Sequence, residues 1–145
     1  MSHVLIAYHS FTGKTKGLAE AAAEGARGAG AEVEFSHVKD VSVDAVAAAD
    51  ILLLATPQSF GTPAGETKEL LERLWMGKDQ LPKGKGFASI VCHADEPVGT
   101  SGLFAKLPDY FGFAAVQEPL LVAADQVEDG RAQARELGVA LANWH

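Results

Sequence analysis

A short polar loop, residues 10–15 with the sequence Ser-Phe-Thr-Gly-Lys-Thr, follows directly on the apolar run Val4–Tyr8. The run has the length and composition of a strand that is buried on both faces. After the loop, Leu18 and several alanines share one helical stripe, which predicts a helix over Lys14–Arg27. The N–H groups at the start of such a helix lack intrahelical partners, and the helix dipole favours negative charge there. The loop therefore predicts an anion site, with a phosphate group as its guest.

Strand and helix patterns alternate along the rest of the chain. The further predicted strands are Glu32–Val38, Ile51–Ala55, Phe87–Cys92 and Ala114–Val122, the last interrupted at Pro119. The further predicted helices are Val43–Ala49, one from Pro63 to Trp75 with Thr62 as its N-cap, one near Leu103–Leu107 that Pro108 should end or kink, and Arg131–Trp144. The alternation predicts an α/β fold with a doubly wound parallel sheet. A length of 145 residues suits a single domain over residues 1–145.

Composition and charge disfavour several function classes. The formal net charge of −7 disfavours nucleic acid and anionic lipid, although it suits a cationic protein partner. No apolar run approaches the roughly 20 residues of a membrane span, and no signal-peptide layout is present, so we expect a cytoplasmic protein. The lone Cys92 cannot form an internal disulfide, and we expect it to be a small buried hydrophobe. Because His3, His9 and His37 have no ligand spacing and no acidic partner nearby in sequence, we predict no metal site.

Several familiar phosphate motifs fail on this sequence. A P-loop needs a glycine where Tyr8 stands, and the one G-x-G, Gly28–Gly30, follows a helix where the dinucleotide motif needs a strand. A phosphorelay receiver domain has an aspartate at the end of its third strand, where this chain has Ala55 and Thr56. A monophosphate remains, held by the loop hydroxyls and by the N–H groups of residues 13–15. Lys14 is the nearby cation, either as a phosphate contact or as a solvent-facing side chain.

The ligand of a doubly wound sheet lies outside the carboxyl ends of the strands. Three loops, residues 9–15, 56–63 and 92–102, are expected to meet there. The second loop contains Phe60, against which a flat heteroaromatic ring can lie, together with amide and hydroxyl groups and the flexible Gly61. A phosphate at one end and a flat ring at the other describe flavin mononucleotide (FMN).

Two of these loops resemble those of the flavodoxin superfamily. The element Ser-x-Thr-Gly-x-Thr at residues 10–15 looks like its FMN phosphate loop, and residues 55–75 are similar to the second flavin loop and following helix of flavodoxin-like NAD(P)H:quinone oxidoreductases. The resemblance implies a five-stranded sheet of order 2-1-3-4-5 and non-covalent FMN. It assigns the phosphate to Ser10, Thr12, Gly13, Lys14 and Thr15. It assigns the isoalloxazine ring to Pro57, Gln58, Ser59, Phe60 and Gly61, and less sharply to His93, Ala94, Asp95, Gly99 and Thr100.

The third loop departs from the electron carriers of this superfamily, many of which stack a tyrosine on the flavin. In this chain the third loop has no Tyr, Trp or Phe before Phe104. His93 either stacks on the flavin or serves as a helix cap or a surface residue. An uncovered ring face suits a nicotinamide or a quinone, so the resemblance favours an FMN-dependent oxidoreductase that passes electrons from NAD(P)H to a quinone. The alternatives are a small electron carrier that docks other redox proteins and a module that has lost its flavin. No catalytic acid or base is assigned, and a homodimer contact through Trp144 stays open.

Overall fold

A parallel sheet forms the centre of the computed structural model, which describes residues 2–145. Its strands are β1 His3–Tyr8, β2 Glu32–His37, β3 Ile51–Ser59, β4 Thr62–Pro63, β5 Gly86–His93, β6 Ala114–Ala115 and β7 Leu120–Ala123. The order is β2-β1-β3-β5-β6, with β7 also paired to β5. The pieces β6 and β7 together form the predicted fifth strand, broken in the stretch that contains Pro119. The predicted order 2-1-3-4-5 is therefore confirmed, with β5 as the fourth long strand.

In the described part of the chain, five helices cover the two faces of the sheet: α1 Lys14–Gly28, α2 Val43–Ala48, α3 Gly65–Met76, α4 Val98–Phe111 and α5 Val127–Ala142. Alternate residues of each strand point to opposite faces, so β1 sends Val4 and Ile6 into one hydrophobic cluster and Leu5 and Ala7 into the other. The first cluster lies under α1 and α5, and the second under α2, α3 and α4. None of the helices in residues 2–145 is long and apolar enough to cross a membrane.

Helices α1 and α5 pack with their backbones unusually close together. A Cβ atom added at Gly25 would overlap the carbonyl oxygen of Arg135, and one added at Gly138 would overlap that of Ala22. Only glycine permits this approach, because any side chain would have to occupy space already filled by backbone. Helix α5 begins at Val127, four residues earlier than the predicted Arg131, and it ends before Trp144.

The second loop is built differently from the prediction. Strand β3 does not end at Ala55 but runs on to Ser59, and Thr62 and Pro63 return antiparallel to it as β4. The hydroxyl of Thr62 donates a hydrogen bond to the Ser59 carbonyl at 3.0 Å and so closes a hairpin. The predicted helix start at Pro63 with Thr62 as N-cap is therefore wrong, because both residues are committed to the hairpin and Ala64 is the N-cap of α3.

Helix α4 also differs from its prediction at both ends. It begins at Val98, so Gly99 and Thr100 lie in its first turn and not in a loop. At the other end it passes through Pro108 and stops at Phe111, so of the two predicted effects of the proline, an end or a kink, the end does not occur. A proline removes one helical hydrogen bond and crowds the preceding turn, but only the last turn follows it here, so little is lost. Gly112, with a φ of 73°, provides the C-cap.

Candidate functional site

The three predicted loops meet at the carboxyl edge of the sheet. The side-chain amide of Gln58 ties the second loop to the third, because its Nε2 donates to the carbonyl of Glu96 at 2.9 Å. The buried Thr100 hydroxyl donates to Oε1 of the same amide at 2.8 Å. Gly99 lies directly against the carbonyl oxygen of Gly61, where a Cβ atom would overlap it. The first turn of α4 thus packs directly against the second loop.

The first loop leaves the start of α1 open to an anion. Gly13 is the N-cap residue with a φ of 95°, no side chain caps the helix, and no acidic residue lies in its first turn. The Gly13 N–H donates to Oγ of Ser10 at 3.0 Å, which closes the loop into a tight turn. The uncapped N–H groups of the first turn need an acceptor from outside the helix. The donor set therefore fits the phosphate of FMN.

The other predicted phosphate residues have different surroundings. Thr12 is exposed, whereas Thr15 is buried beside the thiol of Cys92. Lys14 is exposed and also makes a backbone contact that the sequence did not indicate. Its ammonium donates to the carbonyl of Ala124 at 2.9 Å, so it ties the first loop to the β7–α5 connection.

The tip of the second loop combines backbone strain with an exposed aromatic ring. Ser59 pairs with Thr62 across a two-residue turn in which Phe60 has a φ of 52° and Gly61 one of 77°. Positive φ at both positions is the geometry of a type I′ hairpin turn, which favours Asn and Gly and penalises Phe. The Phe60 ring is also fully exposed. Strain held at an exposed aromatic residue indicates a ligand contact.

Below this tip lies a buried pair of hydroxyls that the sequence reasoning missed. Thr67 donates to Oγ1 of Thr56 at 2.9 Å, and the Thr56 hydroxyl donates in turn to the Pro57 carbonyl. The same Thr56 oxygen accepts the N–H of Ala64. These bonds join the end of β3 to the start of α3. Both threonines are fully buried, so the base of the second loop is rigidly held.

The third loop contributes little side-chain coverage. The His93 ring is tied to its own loop, since Nδ1 lies 2.9 Å from the carbonyl of Asp95 and must donate to it. Ala94 and Asp95 are exposed, and the four residues 94–97 separate His93 from the start of α4. Phe11, which was not among the predicted ring contacts, is 63% exposed in the first loop. An apolar ring within an otherwise polar loop was the available sequence signal for it.

A second group of polar side chains lies beside the first loop, on the face covered by α3. His9, His37 and Glu66 come from the ends of β1 and β2 and from the first turn of α3. The histidines have 14% and 22% of their side chains exposed. Burial, with a smaller contribution from the neighbouring His9, lowers the pKa of His37, and Glu66 opposes the shift. The sequence reasoning found no acidic partner for these histidines, because the three residues meet only in the folded chain.

Cys92 ends up buried and free, as predicted, within the cluster under α1 and α5. Burial raises the pKa of its thiol, while the Thr15 hydroxyl and the Lys14 charge act in the opposite direction. Burial and a raised pKa both disfavour the thiolate, which is the reactive form of cysteine.

Comparison with known proteins gives a consistent result. A flavodoxin from Aquifex aeolicus is 28% identical in an alignment that extends over 169 residues. The alignment covers 99% of this chain and 87% of that protein. An NAD(P)H dehydrogenase (quinone) from Syntrophobacter fumaroxidans is 32% identical, but the match spans half of either chain. Among solved structures, an archaeal flavodoxin superposes with a TM-score of 0.85 at 19% identity, covering 97% of this chain and 96% of that one. The flavodoxin of Megasphaera elsdenii gives a TM-score of 0.82 at 23% identity, covering 97% and 99%.

The family model "Flavodoxin" matches residues 6–138, a stretch that contains the phosphate loop, the strained hairpin and the third loop. An uncapped helix start, a hydroxyl-bearing loop before it and an exposed aromatic residue on a hairpin all agree with this match. The chain belongs to the flavodoxin family, whose members bind FMN.

Proposed function

We propose that the protein is an FMN-dependent electron carrier that exchanges electrons with other redox proteins. The openness of the site is the observation that supports this role. The turn at residues 60–61 and the connection at residues 94–97 are both short, and Phe60, Phe11 and Val98 are exposed around them. A docked protein would cover these exposed rings, because protein interfaces bury aromatic and apolar side chains.

The phosphate of FMN would bind the uncapped N–H groups at the start of α1 and the hydroxyls of Ser10 and Thr12. The positive φ of Gly13 lets the loop turn toward the helix without a Cβ in the way. The neutralising charge comes from backbone dipoles, because the Lys14 ammonium is engaged by the Ala124 carbonyl. This arrangement selects a compact monophosphate.

The isoalloxazine ring would lie against the second loop. Phe60 and Gly61 form the tip that contacts it, and Gln58 holds that loop against the third. FMN, when bound, supplies electron transfer in one- or two-electron steps, while the protein supplies position and electrostatics. The Gly61 peptide is the candidate for a flip beside the ring, since glycine exchanges positive and negative φ at little cost.

Partner choice would follow charge. The net charge of −7 favours a cationic partner and predicts association that weakens as salt rises. A reducing compartment such as the cytoplasm suits the single free thiol.

A second candidate function is an oxidoreductase that passes electrons from NAD(P)H to a quinone. The observation in its favour is the bare third loop, whose residues 94–97 include no aromatic side chain to cover the flavin. Relatives named NAD(P)H dehydrogenase (quinone) point the same way, although each match spans only about half of the relative.

Two measurements separate these functions. A carrier accumulates a long-lived one-electron reduced state during reductive titration and does not oxidise NAD(P)H in the presence of a quinone. Steady NAD(P)H oxidation with a simple quinone, abolished by removal of FMN, would establish the oxidoreductase in its place. A purified protein without flavin absorbance, unchanged by added FMN, would contradict both.

A further inference from the structure

The cluster of His9, His37 and Glu66 brings three potential metal ligands from three elements to one point. Nδ1 of His9 lies 3.0 Å from Nε2 of His37. Oε2 of Glu66 lies 3.2 Å from the first nitrogen and 3.3 Å from the second. The three atoms therefore form a nearly equilateral triangle. It lies outside the set of residues that the flavin would use.

Hydrogen bonds alone do not account for this triangle. Each imidazole nitrogen has either one hydrogen or one lone pair in the ring plane, so it takes part in one full hydrogen bond. Three contacts among three atoms would require each atom to serve two neighbours. At least one contact in the triangle is therefore left without a hydrogen bond, whichever protons are present. A cation bound to all three atoms removes this conflict, because no hydrogen is needed between any two of them.

The dimensions of the triangle match a coordination site. Ligand atoms held about 2.1 Å from one ion, at angles of about 90 to 110°, lie about 3.0 to 3.4 Å apart. The observed separations of 3.0, 3.2 and 3.3 Å fall within that range. Two imidazoles and one carboxylate are ligands of first-row divalent ions such as Zn²⁺, whereas Mg²⁺ and Ca²⁺ prefer oxygen ligands throughout.

The fold holds the ligands in place before any ion binds. Strands β1 and β2 pair in parallel with Tyr8 opposite His37, which fixes the approach of the two histidines. The His9 ring packs edge-on against Phe11, with 4.9 Å between the ring centroids. The backbone N–H of His9 donates a hydrogen bond to the carbonyl of Ala55. Glu66 has 52% of its side chain exposed, so water and ions can reach the site from its side.

One existing contact must change when an ion binds. The backbone N–H of Lys39 donates to Nδ1 of His37 at 3.1 Å, so the neutral ring has its proton on Nε2. Coordination through Nε2 moves that proton to Nδ1 and breaks the Lys39 contact. Lys39 is exposed and lies in a short 3-10 turn, where its N–H can turn to water. The Lys39 amide is therefore a built-in reporter of occupancy.

We propose that His9, His37 and Glu66 form a binding site for one divalent first-row transition-metal ion, with Zn²⁺ as the best-fitting representative. Three protein ligands leave at least one coordination position for water. An ion at this position would connect the start of the phosphate loop to the first turn of α3. The proposal stands on the geometry of the cluster and does not depend on the flavin.

The test is a titration of the purified full chain, expressed without a polyhistidine tag, with Zn²⁺ alone. Calorimetry is expected to give one ion per chain with micromolar or tighter affinity. Glu66→Gln and His37→Gln are expected to weaken binding by at least about 30-fold, since each removes one of only three ligands. His3→Gln is the matched control, because His3 also faces a carboxylate, Glu34 at 3.6 Å, outside the cluster. That variant should bind like the parent chain.

Two further readouts keep the result independent of folding defects. In a ¹H–¹⁵N spectrum the Lys39 amide should shift on adding Zn²⁺, and in Glu66→Gln it should not shift at the same concentration. Co²⁺ should produce d–d bands at longer wavelength than oxidised flavin in the parent chain and in His3→Gln. Stoichiometric binding that survives both cluster substitutions, or an absence of binding at micromolar Zn²⁺, would overturn the proposal.

Discussion

Replacement of Phe60 by Asn should make the flavin-free protein more stable while weakening its flavin site. Phe60 has a φ of 52° at the first position of the two-residue β3–β4 turn, and its ring is fully exposed. A left-handed backbone costs a residue with a Cβ about 1 to 2 kcal/mol, and Asn tolerates it far better. No buried apolar surface is lost, so we expect Phe60→Asn to raise the free energy of unfolding by about 1 kcal/mol, or the Tm by about 3 °C.

The flavin should respond in the opposite direction. An aromatic contact contributes about 0.5 to 1.5 kcal/mol, so loss of the ring should weaken FMN binding by about 3- to 10-fold. Thermal unfolding of the flavin-free protein gives the first quantity, and quenching of FMN fluorescence on titration gives the second. Phe11→Asn is the control, because Phe11 is also exposed but is not among the residues with positive φ. Equal stabilisation by both variants, or none by Phe60→Asn, would refute the strain argument.

Other substitutions and a pH titration test the packing. Gly138→Ala should lower the free energy of unfolding by about 1 to 3 kcal/mol in urea, because its Cβ overlaps the backbone of α1, whereas Gly28→Ala, with open space around it, should not. Thr67→Val should cost about 1 to 2 kcal/mol in the same assay, because it removes the hydroxyl that donates to Thr56. Native Cys92 should resist alkylation until the chain is unfolded. Because burial raises the pKa of the folded thiol above its ordinary value of 9.0, the protonated thiol stabilises the folded protein below pH 9.0. This contribution should be lost as the pH rises further, and it should be absent in Cys92→Ala.

The sheet could be predicted because its central strands are continuous apolar runs. A continuous apolar strand such as Val4–Tyr8 must be buried on both of its faces. Because helices alternate with these strands along the chain, a parallel sheet with helices on both faces follows. The ends of elements were harder. In the sequence, Pro57 and Pro63 look like residues that end a strand. Yet Pro57 lies within β3, where it pairs with Cys92 of β5, and Pro63 lies in β4. Both prolines are tolerated because these positions lie at the end of the sheet, where few ladder bonds remain.

The site was predictable where it is local and was missed where it is not. The phosphate loop is a contiguous stretch, so its composition could be interpreted directly. The contact of Lys14 with Ala124 joins residues 110 positions apart, and His9 meets His37 across 28 positions. No pattern in one sequence reports such approaches, because they are consequences of strand pairing and helix packing. The strain at Phe60 was equally invisible until the turn type was known.

The difference in affinity between FMN and riboflavin for the flavin-free protein tests the central claim most directly. If the uncapped start of α1 holds the phosphate, two charge-assisted hydrogen bonds from its N–H groups would make FMN bind at least about 100-fold more tightly than riboflavin. Equal affinity for the two flavins, or tighter binding of a nucleoside triphosphate than of FMN, would contradict the account.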